Sequence, residues 1–247
     1  MQEPWGSALR CTPLGALARH CFTTRELTFD DEGGRVGWAA LSAALGIAPE
    51  ALVRMRQVHG AGIFEAAAGM RPAVLPHEWP EADIAISDDP SLGLSVRTAD
   101  CVPILLADRR TGAVAVIHAG WKGTAAGAAL AAVQGLEWRF GSMAADMVAA
   151  VGPSIGPCCY EVDRVLEGHF DAHPDAAAWF SNGARPRLDL WRATRDQLAR
   201  AGIPREQIHV SELCTSHHPA LFHSYRRDAG AAGRLVAAIR SGRDTTL

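Results

Sequence analysis

Apolar and polar positions change rhythm along the chain, and the changes mark its elements. Residues 38–47 (WAALSAALGI) carry apolar side chains at helical spacing and predict a helix closed by Gly46, preceded by an exposed Gly-rich loop at 31–37, DEGGRVG. The stretch 52–66, LVRMRQVHGAGIFEA, predicts two short strands around a His-Gly turn. From Leu92 the signals sharpen. LGLSVRT (92–98) predicts a strand, VPILLAD (102–108) a buried strand, RRTG (109–112) a turn and AVAVIH (113–118) a second buried strand. A connection this short cannot cross over to make a parallel pair, so the two buried strands run antiparallel. The Ala-rich segment 119–136, AGWKGTAAGAALAAVQGL, predicts one helix of about four turns.

Further on, MVAAV (147–151) predicts a strand leading into a Gly/Pro loop, and VDRVLEGHF (162–170) predicts a helix. The segment 187–202, RLDLWRATRDQLARAG, is amphipathic, with Leu190, Thr194 and Leu198 on one face and Gly202 as the stop. QIHVSEL (207–213) predicts a strand, and 223–242 pairs an arginine-rich loop with a last strand or helix. This mixed order predicts an α+β fold, a mixed β-sheet core flanked by helices, in one domain over 1–247.

Composition narrows the partners. A 48% hydrophobic content in 247 residues suffices for a sizeable core without cross-links, and the net charge of −3 has no clustered basic face for nucleic acid or an anionic membrane. A small-molecule partner is expected. No run of about 18 apolar residues is present and the start lacks an export pattern, which predicts a cytoplasmic protein. Six cysteines are too sparse for a disulfide framework, and adjacent Cys158 and Cys159 are awkward partners for each other.

The candidate chemistry starts from the two buried strands. Cys101 precedes one and His118 ends the next, so the antiparallel pairing brings them close, and His59 stands at another strand-to-turn junction. One thiolate and two imidazoles make a three-ligand zinc set with a position left for water or substrate. The spacing alone is unspecific. A histidine at a strand end is more often a hydrogen-bonded structural residue, and a free cysteine often packs as a small hydrophobe. Asp100 is either a proton shuttle or the cap of its own turn. Arg226 and Arg227 are either a solvated pair or a fork for phosphate.

The stretches RQVHG, TADCVPILLAD, AVAVIHAGWKGTAAG, VGPSIGPCCYEV and FHSYRRDAGAAGR closely resemble the laccase-domain or polyphenol-oxidase-like (YfiH-like) family, whose members are also described as purine nucleoside phosphorylases. The likeness runs in order over about residues 20–240. It implies a zinc ion on His59, Cys101 and His118, with nucleoside and phosphate as partners. It implies phosphorolysis of adenosine, inosine, guanosine and methylthioadenosine, with adenosine deamination in some members. It also implies kinship with proteins that edit peptidoglycan precursors. After Thr24-Arg25 the chain shortens and rewrites the family's usual loop, which bears on substrate preference.

In a phosphorolysis mechanism, Arg25 and Arg226 or Arg227 hold phosphate by bidentate contacts and Gln57 of RQVHG binds substrate, while in a deamination Asp100 is the candidate catalytic proton shuttle. The paired H-x-E and P-C-x-x-C signatures of zinc nucleobase deaminases are missing. Oxygen-reducing copper oxidases gather many imidazoles, typically as H-x-H; the ten histidines here contain no H-x-H, so copper oxidation ranks low, although imidazole also binds copper in vitro. Two rivals use the same residues. Without metal, Cys101 and His118 form a thiolate–imidazolium pair suited to an amidase. With a fourth ligand from Cys158, Cys159 or Cys214, the zinc becomes structural.

Overall fold

The computed structural model describes residues 2–3, 6–29, 35–67, 69–73 and 75–242. Among the described residues the strands are β1 (Gln2–Glu3), β2 (Gly6–Leu9), β3 (Ala18–Thr23), β4 (Leu52–Val53), β5 (Ile63–Glu65), β6 (Ile84–Ser87), β7 (Gly93–Thr98), β8 (Val102–Asp108), β9 (Val114–Ala119), β10 (Met147–Val151), β11 (Ile208–Val210) and β12 (Leu235–Ser241). They form two six-stranded sheets, one ordered β1-β2-β3-β12-β7-β4 and the other β11-β10-β8-β9-β6-β5. Both are antiparallel inside and parallel only at edge pairs, β4 with β7, β10 with β11 and β5 with β6. The mixed β-sheet core expected from the sequence is thus present, as two mixed sheets stacked face to face.

The helices are α1 (Thr12–Gly15), α2 (Arg35–Leu45), α3 (Trp121–Ala125), α4 (Ala128–Phe140), α5 (Leu190–Arg200) and α6 (Tyr225–Asp228). They complete four layers, because alternate strand residues point to opposite faces. Val96 and Ile239 of the first sheet meet Leu105, Val116 and Val148 of the second. On the second sheet's far face, Ile104, Ile117 and Ala149 pack under Val133 and Leu136 of α4 and Leu198 of α5. Outside the first sheet, Cys21 and Ala238 receive Trp38, Leu41 and Leu45 of α2. Coverage on both faces is why β8, β9 and β10 are buried at every position. Truncating one buried leucine in such a core to alanine costs about 2–5 kcal/mol.

Several elements differ from the sequence expectation. Helix α2 begins at Arg35, three residues early, so Arg35–Gly37 is helix; the rest of the predicted loop at 31–37, and the rewritten stretch after Arg25 in part, lie outside the described residues. The single helix expected over 119–136 is two, α3 and α4, separated at Gly127, whose φ of 76° is left-handed and ends one helix before the next begins. Residues 164–170 form a 3-10 helix. Helix α5 is as expected: Asp189 caps it by accepting the Arg192 N–H, and Leu190, Thr194 and Leu198 are buried. The last segment resolves as strand β12, central in its sheet between β3 and β7.

Candidate active site

The β8–β9 register places Pro103 opposite His118. Cys101, two residues before Pro103, therefore lies on the same face as His118, as its diagonal neighbour. A proline is tolerated in this central strand for a local reason. The His118 N–H turns away from β8 to the Asp83 carbonyl, while the Pro103 carbonyl accepts the Gly152 N–H, so the missing donor costs no bond to β9. Gly120, just beyond β9, is required as glycine: a Cβ there would meet Cys101 Sγ at 2.8 Å.

His59 arrives from the loop between β4 and β5 with φ of 63°, uncommon for a residue with a Cβ. The fully buried Asp83, one residue before β6, holds it there. Asp83 Oδ2 accepts the N–H groups of Val58 (3.1 Å) and Gly60 (2.7 Å), and Oδ1 accepts those of His59 (3.0 Å) and His118 Nδ1 (2.8 Å). Burial opposes the charge, but these bonds, His118 first, hold the carboxyl below the usual carboxylate range. With Nδ1 given to Asp83, His118 directs Nε2 elsewhere, the orientation a metal ligand or general base needs.

The ligand-capable atoms of His59, Cys101 and His118 all lie within 4.8 Å of one another, and the two imidazole rings stand 4.9 Å apart at 78°. In the metal-free protein, burial raises the Cys101 thiol but His118 and then His59 outweigh it and bring the pKa to about 6. Burial likewise works against charge on His118, yet Asp83 and Cys101 raise it to about 9. At neutral pH the pair is thiolate and imidazolium, and a ligand sulfur that is already ionised needs no proton removed on metal binding.

The trio faces a cavity of about 660 Å³ whose wall includes Arg56, Arg97, Arg226 and Arg234, with Trp121, Tyr160 and Tyr225 as aromatic surfaces. The other sequence-predicted residues divide. Arg226 lines the cavity, its guanidinium 5.0 Å over the Tyr160 ring and donating to the Glu161 carbonyl at 2.8 Å. Arg227 is outside the cavity wall, and its donors go to Asp228 and to the carbonyls of Thr215, Ser216 and Phe222. Arg25 is outside the cavity wall and gives its guanidinium to the Pro219 carbonyl. Gln57 lines the cavity, but its amide is spent on the Arg97 backbone, 2.8 Å in each direction. Asp100, with φ of 88°, lines the cavity and accepts from Thr215 Oγ1 at 2.5 Å and the Arg226 N–H at 2.6 Å, so its carboxylate also positions those loops.

Sequence reasoning missed Asp83 and the arginines at 56, 97 and 234. Asp83 had one signal, an acid set directly against the apolar run IAI (84–86), since a carboxylate at the start of a buried strand must be partnered. The three arginines come from separate elements and carry no local spacing.

Comparison with known proteins identifies the chain's family. A family profile described as multi-copper polyphenol oxidoreductase laccase matches residues 28–241. A purine nucleoside phosphorylase, YlmD, of Geobacillus stearothermophilus is 39% identical over 197 residues, 77% of this chain and 72% of its own. A purine nucleoside phosphorylase of Streptomyces coelicolor is 37% identical over 214 residues, 85% of this chain and 84% of its own. The crystal structure of YlmD from Geobacillus stearothermophilus superposes with a TM-score of 0.91 at 32% identity, covering 98% of both chains. That of Bacillus licheniformis YfiH gives 0.87 at 31%, covering 95% of this chain and 96% of the other. With the family profile spanning most of its length and its fold shared by YfiH and YlmD, the chain belongs to the laccase-like YfiH family.

Proposed function

We propose that the protein is a zinc-dependent purine nucleoside phosphorylase acting on adenosine, inosine, guanosine and methylthioadenosine. The observation that carries this reading is the convergence of His59, Cys101 and His118 beside a cavity walled by arginines and aromatic rings. The donor set fits zinc: two imidazoles and a thiolate are three of its preferred ligands, and three is the number that catalytic sites use. Bound there, zinc supplies a Lewis acid with an open coordination position. It fits a multi-copper oxidase less well, since among the described residues this group contains two imidazoles and the other metal-capable group contains none.

The chain's own residues do the rest. Asp83 fixes the His118 tautomer and pins the His59 loop. Arg226, with Arg56, Arg97 and Arg234 on the same wall, holds phosphate by charge-assisted hydrogen bonds. Trp121, Tyr160 and Tyr225 offer flat faces to a purine. Burial and the nearby charges of Cys101 and Asp100, partly offset by Arg226, push the Tyr160 phenol up to about 12, so it keeps its proton and donates at neutral pH. Adenosine deamination is secondary in this reading, because the paired H-x-E and P-C-x-x-C signatures of zinc nucleobase deaminases are missing. Among the described residues no helix is long and apolar enough to cross a membrane, and the cysteines are free thiols, which suits a reducing cytoplasm.

A second reading has one observation in its favour. Asp83, His118 and Cys101 form an orienting carboxylate, an imidazolium and an ionised thiol, the arrangement of a cysteine amidase. It gives no role to His59, which is why zinc is preferred. The test is incubation with inosine or adenosine, with and without phosphate, and chromatography of the products. Base with ribose 1-phosphate, formed only when phosphate is present, is expected. Free ribose regardless of phosphate, or no base release from the zinc-loaded protein, would overturn the proposal.

A further inference from the structure

We propose that Cys158, Cys159 and Cys214 form a second cation site that takes a thiophilic d10 ion such as Cu+ or Zn2+ and ties together two loops framing the active-site cavity. The three sulfurs lie within 4.8 Å of one another, with Cys158 and Cys159 Sγ atoms 3.6 Å apart. A Zn–S bond of about 2.3 Å implies sulfur separations of about 4 Å, so a modest closure suffices. Three thiolates with no imidazole or carboxylate are a soft donor set, and soft donors select ions of this kind over Mg2+ or Ca2+.

Cys214 is prepared as a ligand. It is buried and accepts the Gly156 N–H at 3.3 Å. Such N–H···S bonds stabilise metal-bound thiolates. Although burial opposes ionisation, the Gly156 bond and the other two thiols hold Cys214 below the usual thiol range. Access exists: Cys158 is exposed and lies in the wall of an open groove beside Pro157 and Arg187.

The position gives such an ion a consequence. Cys159 precedes Tyr160 of the cavity wall, and Cys214 precedes Thr215, whose hydroxyl holds Asp100. The loops already touch through the Ser154–Cys214 bridge. An ion across them would fix the Tyr160 and Asp100 wall without entering the reaction.

The experiment is anaerobic titration of the reduced protein with Cd2+, read by thiolate-to-metal absorption in the near ultraviolet, for the wild type, Cys101→Ala, Cys158→Ser and Cys214→Ser. With three of the four candidate thiolates left, Cys101→Ala should keep roughly three quarters of the wild-type amplitude and one tight equivalent. Cys158→Ser, at an exposed position that folding does not depend on, should bind that equivalent at least about tenfold more weakly. Cys214→Ser should do the same, with circular dichroism reporting its fold. Loss of all absorption in Cys101→Ala, or wild-type titration by Cys158→Ser, would overturn the proposal.

Discussion

The two sulfur-containing clusters differ in donors, two imidazoles and a thiol against three thiols, and in the supports that carry them. Cys101 and His118 flank adjacent strands whose register fixes them, and His59 is held by four hydrogen bonds to one buried carboxylate, shared with His118. Cys158, Cys159 and Cys214 sit on turns outside the named strands, joined by an isolated bridge and an N–H···S bond. A site on a locked sheet edge keeps its geometry through a reaction, whereas a site on loops is suited to tethering them. The thiols differ accordingly: Cys101 is brought down to about 6 by two imidazoles, and exposed Cys158 is pushed up to about 12.

Substitutions can break this comparison. Cys101→Ala should lower kcat/KM by about a thousandfold or more, because a direct metal ligand is lost, while Cys158→Ser should leave base release within about twofold. Steady-state kinetics on both variants decide this. Asp83→Asn should weaken zinc at the first site by about 10–100-fold, measured by chelator competition. It should also cost about 3–5 kcal/mol in urea unfolding, since a buried charged partner is left unpaired.

Arg226 and Arg227 sharpen the same lesson at neighbouring positions. Arg227→Ala strands several carbonyls and Asp228, and should cost about 2 kcal/mol of stability with little change in the KM for phosphate. Arg226→Ala should do the reverse, raising that KM about tenfold with stability within about 0.5 kcal/mol. Thermal melts and phosphate saturation curves read out the pair.

The smallest effect concerns pH in the metal-free protein. Iodoacetamide should label Cys101 with a midpoint near pH 6, while Cys158 stays slow at pH 7 despite its exposure. Stability should barely follow. The lowered Cys101 pKa contributes stability that is full above 9 and lost as pH falls through about 6. The raised His118 pKa contributes stability that is full below 6.5 and lost as pH rises through about 9. The two slopes oppose across one window, so the pair leaves a flat profile there.

The closeness of Cys101 and His118 was legible because a short turn between two buried runs permits one pairing only. Helix α5 was legible from its cap, stripe and stop. The break at Gly127 was not, because Ala-rich segments on both sides favour helix and only the left-handed φ interrupts them. Strand β12 stayed ambiguous because its alternation vanishes when both faces are buried. Asp83 lies 35 residues from His118, just before a strand whose place beside β9 no local pattern states. The roles of Arg226 and Arg227 depend on where a turn aims each side chain, and adjacency in sequence does not carry that.

The most direct measurement is activity against added zinc in metal-free Cys158→Ser protein, where the loop cluster is disabled. Phosphate-dependent base release should rise in proportion to zinc and level off at about one equivalent, and Cys101→Ala in the same background should stay inactive throughout. Full activity before zinc is added, or equal activity after Cys101→Ala, would contradict the account.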